Sequence, residues 1–272
     1  MDRNRKIEIM GIVNITGNSY FSASRCLADD GKADVRAAMD RIGTMVREGA
    51  DILDIGACST RPGAEAVGAE VEWKRLEPVL QAVRSEYPDI RISVDTYWAE
   101  VVRKVYDNIG DFLVNDISAG EDDPDMLPTV GRLGLEYVAM HKRGNPMTMQ
   151  SLTDYDDVTD AVRQYFLDFA EKAEDAGIKE WILDPGFGFA KTVEQNWQLI
   201  DEMEKVLVPG RRTLVGVSRK SMIYRLFDIT PEECLPATQA LHFAALQKGA
   251  DILRVHDVAE ARRTVEIYRR SG

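Results

Sequence analysis

Short apolar runs in this chain repeatedly end on a polar side chain and then break into glycine, proline or hydroxyl residues. Trp181-Ile182-Leu183 stops at Asp184 and turns into Pro185-Gly186; Ile90 to Val94 stops at Asp95-Thr96; Phe112 to Val114 stops at Asn115-Asp116. Thr213 to Val217 leads to Ser218-Arg219-Lys220, and Ile252 to Val255 leads to His256-Asp257. Ionised Asp95 and Asp184 only accept hydrogen bonds, Asn115 both donates and accepts, and Lys220 only donates. A carboxylate receives two parallel hydrogen bonds well from an amino group beside a ring N–H. The set therefore suits a flat polar heterocycle with an amidine-like edge. Ile117, Met140 and Phe189 stand beside the same strand ends and would cover its two faces. The plainer alternative is that Asp95 or Asp184 caps the helix that follows it.

Arg254 and His256 leave the last apolar run one residue apart, so in extended backbone they point the same way. With Lys220 they make a cationic corner that suits a phosphate, helped by a helix N-terminus. An ion pair with Asp257 or another neighbouring acid is the competing account. Ser59-Thr60-Arg61-Pro62-Gly63 offers two hydroxyls, a guanidinium and a turn, which suits a second anion. Asn14, at the end of the run Ile7 to Val13, supplies a hard carboxamide oxygen able to join a phosphate-bound Mg²⁺, although an Asn after a strand is also a common turn former. His141 reads as a packing or loop residue and His242, between Leu241 and Phe243 on a helix, as structural. No Ser/His/Asp or Cys/His triad and no His-x-x-x-His spacing is present.

These groups lie far apart in sequence, so the elements between them must bring them together. Helical spacing of apolar residues marks Ala33 to Glu48, Val71 to Ser85 (with Val71, Leu76, Val79, Leu80 and Val83 on the buried side), Met126 to Leu133, Val158 to Ala176, Leu235 to Lys248 and Ala259 to Arg269. About eight strand-then-helix units follow one another with no linker. At 272 residues this predicts a single (β/α)8 barrel spanning 1–272, since such barrels need about 250. An open doubly wound sheet is the competitor, but Gly11-Ile12-Val13-Asn14 lacks the glycine-rich dinucleotide turn. In a barrel, Asn14, Thr60, Asp95, Asn115, Asp184, Lys220, Arg254 and His256 converge on one face. Two polar connections, Thr16 to Gly31 and Lys142 to Tyr155, are long for a compact domain.

Composition narrows the partners. With 44% hydrophobic and 29% charged residues the chain is globular, and a net charge of −12 argues against a general nucleic-acid surface. Cys26, Cys58 and Cys234 are too few and too scattered for a disulfide framework or a zinc site. No stretch is long and apolar enough to span a bilayer, and the first residues lack a signal-peptide core, so a cytoplasmic location is expected.

In combination the motifs resemble the dihydropteroate synthase family. Asp54-Ile55-Gly56 with Ser59 to Gly63, Ile92 to Thr96, Asn115-Asp116-Ile117, Met140-His141 with Gly144-Asn145-Pro146 and Met149-Gln150, Asp184 to Phe189, Ser218 to Ser221, and Arg254 to Asp257 fall in that family's order over nearly the whole chain. The resemblance implies a TIM barrel, a homodimer, and condensation of (7,8-dihydropterin-6-yl)methyl diphosphate with 4-aminobenzoate, with Mg²⁺, in folate biosynthesis. By position it implies that Asp95, Asn115, Ile117, Met140, Asp184, Phe189 and Lys220 bind the pterin. Thr60, Arg61, Ser218, Ser221, Arg254 and His256 would bind the diphosphate and aminobenzoate, and Asn14 the metal. Asp95, Lys220, Arg254 and His256 would serve the chemistry itself.

The chain departs from the family in its first loop. The usual Asn-x-Thr-Pro-Asp-Ser-Phe reads Asn14-Ile15-Thr16-Gly17-Asn18-Ser19-Tyr20 here, and Cys58 stands where many members have Glu. A methyltransferase with the same pterin pocket, and a non-catalytic pterin-binding homologue, are the alternatives. The Ser59 to Gly63 loop and the Arg254/His256 pair argue against the former, because methyl transfer has no diphosphate to hold.

Overall fold

In the computed structural model, residues 5–16, 26–27, 31–58, 67–144 and 148–271 are described. Eight parallel strands close into a barrel: β1 (Glu8–Asn14), β2 (Ile52–Gly56), β3 (Arg91–Asp95), β4 (Leu113–Asp116), β5 (Glu136–Met140), β6 (Trp181–Asp184), β7 (Arg212–Val215) and β8 (Ile252–Val255), with β8 pairing back onto β1. Helices α1 (Val35–Arg47), α2 (Ala69–Glu86), α3 (Ala99–Ile109), α4 (Met126–Leu133), α5 (Val158–Asp175), α6 (Val193–Asp201), α7 (Ser221–Phe227), α8 (Leu235–Gln247) and α9 (Val258–Arg270) alternate with them. The strands carry apolar residues on both faces because both faces are covered. Outward Ile9, Leu53 and Val114 join Ile42, Leu76 and Val102 of the helices in the main core.

The inward face is a separate stack. Met10, Ile52, Leu113, Val138, Ile182, Leu214 and Ile252 fill the barrel's middle, with every strand represented except β3, whose residue there is Ser93. The pairing register resolves this stack into layers drawn from alternate strands, the usual filling of a (β/α)8 barrel. Glu8, Arg91, Glu136 and Arg212 form the floor. Two levels above the floor's apolar roof, Asp54, Asn115, Asp184 and Arg254 form a fully polar layer at the carboxyl end, with Asp95 and Met140 just above it.

Two expectations are corrected. Val71 is 45% exposed, because Trp73, Leu76, Val79, Leu80 and Val83 define the buried stripe of α2 and Val71 falls off it. After β7 the chain forms an extra short helix, α7, before α8. Its last residues Leu226 and Phe227 face solvent, so its sequence lacks a one-sided apolar pattern.

Candidate active site

Strand alternation decides what lines the mouth of the barrel. In β2 the inward residues are Ile52, Asp54 and Gly56, so Asp54 is forced into the interior at 1% exposure. It accepts hydrogen bonds from Ser93 Oγ (2.6 Å), both of its oxygens receive Asn115 Nδ2 (3.2 and 3.1 Å), and Oδ2 takes Arg254 Nε (2.7 Å). Asp54 is the residue that sequence reasoning missed as part of the site. Its signal was a carboxylate in the middle of an otherwise apolar strand. By holding the Asn115 amide nitrogen it orients that side chain so that its carbonyl oxygen is the end left for a ligand.

Asp95 stands one level higher. Gly56 beside it in the register leaves it room, since a Cβ there would lie 3.1 Å from the Asp95 Cβ. Asp95 Oδ2 accepts from Arg254 Nη2 at 2.8 Å. Burial pushes the Asp95 carboxyl up to about 7; Arg254 opposes this and the Asp54 charge adds to it. Burial works against the Arg254 charge, but Asp54 and Asp95 outweigh it and raise its pKa. Neither Asp95 nor Asp184 caps a helix: α3 starts under Asp123 Oδ2, and α6 starts at the Thr192–Gln195 capping box. Asp184 Oδ1 instead accepts the Gly186 amide (2.8 Å), and burial raises its pKa while Lys220 opposes. Lys220 donates to the Phe187 carbonyl and lies 4.9 Å from the centre of the Phe189 ring. Burial draws its ammonium down to about 8, against the pull of Asp184. Ile117 and Met140 are buried beside this cluster and Phe189 is half-buried.

The expected cationic corner takes a different form. Arg254 is paired with Asp54 and Asp95 rather than standing ready with His256. Burial, followed by the charge of Arg254, lowers the His256 ring to about 3, so it is a neutral imidazole near pH 7. Ser218 Oγ accepts the His256 amide (3.3 Å) and sits 2.9 Å from Nδ1, so the hydroxyl fixes the orientation of the ring. The ion pair with Asp257 is made by Arg219, which also holds the carbonyls of Pro231 and Glu232. Ser221 is half-buried as the first residue of α7, and Asn14 is half-buried in the same lateral row as Gly56, Asp95 and Asn115. Thr60 and Arg61, with Gly17 and Asn18, lie outside the described residues. His141 is buried and, as expected, makes loop contacts; His242 is buried in α8 with Gln239 beside its Nδ1.

Residues 10–256 match the family described as pterin binding enzyme. The dihydropteroate synthase of Synechocystis sp. is 42% identical over 261 residues, covering 94% of this chain and 87% of that protein. The chain belongs to the dihydropteroate synthase family. Two solved members agree in fold over its full length. The Yersinia pestis dihydropteroate synthase, in a sulfonamide drug complex, has a TM-score of 0.91 at 33% identity, with 100% of this chain and 96% of that chain covered. The Xanthomonas albilineans dihydropteroate synthase with 4-aminobenzoic acid has a TM-score of 0.87 at 35% identity, covering 100% and 94%. Membership makes this chain a transferase of folate synthesis and accounts for a mouth of acids and amides with no triad among the described residues. Among those residues no helix is long and apolar enough to cross a membrane.

Proposed function

We propose that the polar layer grips (7,8-dihydropterin-6-yl)methyl diphosphate by its pterin ring and transfers the pterin-methyl group to 4-aminobenzoate. The observation that carries this reading is the layer itself: Asp184 and the Asn115 carbonyl as acceptors, Lys220 as donor, and Asp95 at the next level. Asp184 accepts the amino and ring N–H edge, the Asn115 oxygen accepts a second N–H, and Lys220 donates to a ring acceptor. Ile117, Met140 and Phe189 cover the ring faces.

The bond from the exocyclic methylene to the diphosphate oxygen breaks first, and its electron pair leaves with the diphosphate. The electron-rich ring carries the resulting positive charge, which ionised Asp95 stabilises. The aminobenzoate nitrogen then bonds to the methylene and its surplus proton passes to water. Arg254, the neutral His256 ring, Ser218, Ser221, Thr60 and Arg61 serve the diphosphate and the aminobenzoate. Each diphosphate contact that Arg254 makes competes with its carboxylate partners, Asp54 and Asp95.

Mg²⁺ fits this donor set. Among the described residues no three His, Cys, Asp or Glu side chains form a protein cage, but Asn14 offers the single hard oxygen needed by an ion otherwise held by phosphate and water. Bound there, it would neutralise charge on the leaving group. A cytoplasmic homodimer belongs to the same reading. Leu226 and Phe227, 51% and 55% exposed on α7, provide apolar surface for a second copy.

Purified protein mixed with the pterin diphosphate, 4-aminobenzoate and Mg²⁺ is expected to release diphosphate, with little release when aminobenzoate is omitted. No release in the complete mixture, or preferential binding of methyltetrahydrofolate, would overturn the assignment.

A further inference from the structure

The loop from Asp184 to Lys191 carries two of the residues assigned to the pterin, and its own shape has to be held. Gly186 adopts φ +70° and lies so close to β5 that a Cβ there would stand 2.0 Å from the His141 carbonyl oxygen. Ala190 also adopts a left-handed φ of +48°. A non-glycine residue such as Ala190 keeps that φ only where its surroundings fix it.

The fixing group is Lys191. Its side chain is 5% exposed, and its ammonium donates to the Gly186 carbonyl (2.9 Å) and the Phe189 carbonyl (3.1 Å), with His141 Nδ1 at 3.0 Å. An ammonium has three protons, and all three are used. His141 is held neutral by burial and by the adjacent Lys191 charge, so Nδ1 is a lone-pair acceptor and the ring proton sits on Nε2. Burial draws the Lys191 amine down to about 7, against the pull of Asp184. An apolar side chain of the same length would avoid that desolvation cost. It would also lose the three directed bonds that tie the end of β5 to the β6 loop, and the positive charge that favours an ionised Asp184.

We propose that Lys191 is a positioning residue for the pterin subsite, holding the Gly186 and Phe189 carbonyls and the His141 ring so that Asp184 and Phe189 meet the pterin. This rests on the pterin reading of the site. Lys191 touches no reacting atom; it acts through the loop, so its removal is felt in pterin binding rather than in the chemical step.

The test is Lys191→Met, compared with the unaltered protein in steady-state kinetics for both substrates and in calorimetric titration with 6-hydroxymethylpterin. Losing hydrogen bonds to a charged donor is expected to raise the KM for the pterin diphosphate and the Kd for 6-hydroxymethylpterin about tenfold or more. With the step itself untouched, kcat is expected to stay within about threefold and the aminobenzoate KM within about twofold. An unchanged pterin KM and Kd, or a fall in kcat at constant KM, would overturn the proposal. If Lys191→Met does not fold, His141→Leu decides: it removes one of three acceptors and is expected to raise the pterin KM about threefold, while an unchanged value counts against the proposal. Absence of turnover and of pterin binding in the unaltered protein would instead sink the assignment of the site.

Discussion

At the level of single residues, the site works by opposing environments. Burial raises Asp95 to about 7 and lowers Lys220 to about 8. Asp95 must be ionised to face a cation, so activity is lost as pH falls below about 7; Lys220 must be protonated to donate, so activity is lost as pH rises above about 8. The expected kcat/KM profile for the pterin diphosphate is a narrow bell; Lys191, drawn down to about 7, joins Lys220 on its alkaline limb, so Lys220→Arg, which does not titrate there, should reshape that limb without abolishing it. A flat profile from pH 6 to 9 would contradict the assignment. Asp95→Asn keeps the size but not the charge, and kcat is expected to fall about 10²- to 10³-fold with the fold intact by circular dichroism. Asp54→Asn is the informative companion: it weakens the hold on both Asn115 and Arg254, so pterin and diphosphate affinity should decline together in inhibition measurements. Of these residues, Asp95, Asn115, Asp184 and Lys220 were legible from sequence as polar ends of apolar runs. Asp54 was not, because its importance lies in its partners rather than in its place at a strand end.

At the level of elements, each strand gives its end residue a place and each loop gives it a direction. The loop after β6 is the most constrained, since Asp184 Oδ1 holds the Gly186 amide and Asn196 Oδ1 holds the Gly188 amide at 2.7 Å. Gly186→Ala adds a methyl into the His141 carbonyl and disfavours the left-handed φ. It is expected to cost about 2–4 kcal/mol in urea unfolding, beyond the usual Gly-to-Ala change, because the near neighbour is backbone and cannot swing away. Loss of less than about 1 kcal/mol would mean the loop relaxes freely. Most elements were readable because most of the long helices have one apolar face. The helix α7 was not: it has only seven residues, and its apolar side chains point to both core and solvent.

For the whole molecule, the barrel separates stability from chemistry along its axis. The floor joins Glu8 to Arg91 (2.9 Å), to Arg212 (2.5 Å) and to Lys6 (2.7 Å), and Arg91 also reaches Glu136 (2.5 Å). Burial alone would raise the Glu8 carboxyl, but Lys6, Arg212 and Arg91 outweigh it and hold it at about 2. Because the folded pKa is depressed, its contribution is fully present above the unfolded value near 4.5 and disappears as pH falls toward 2. Glu8→Gln is therefore expected to cost about 2 kcal/mol at neutral pH, discounted because Arg91 and Arg212 are about a third exposed. It should also flatten the acid limb of a stability–pH curve; an unaltered limb would place acid sensitivity elsewhere. The sequence alone determined the order of strands and helices, hence the (β/α)8 closure, and that the polar strand ends Asp95, Asn115 and Asp184 share one mouth. It could do so because those properties depend on local periodicity and chain order. Only the tertiary structure decided that Asp54 belongs to the site, that Arg254 is clasped by two carboxylates, and that His256 is neutral. Those depend on stagger between strands and on burial, and neither is written in any one segment of the chain.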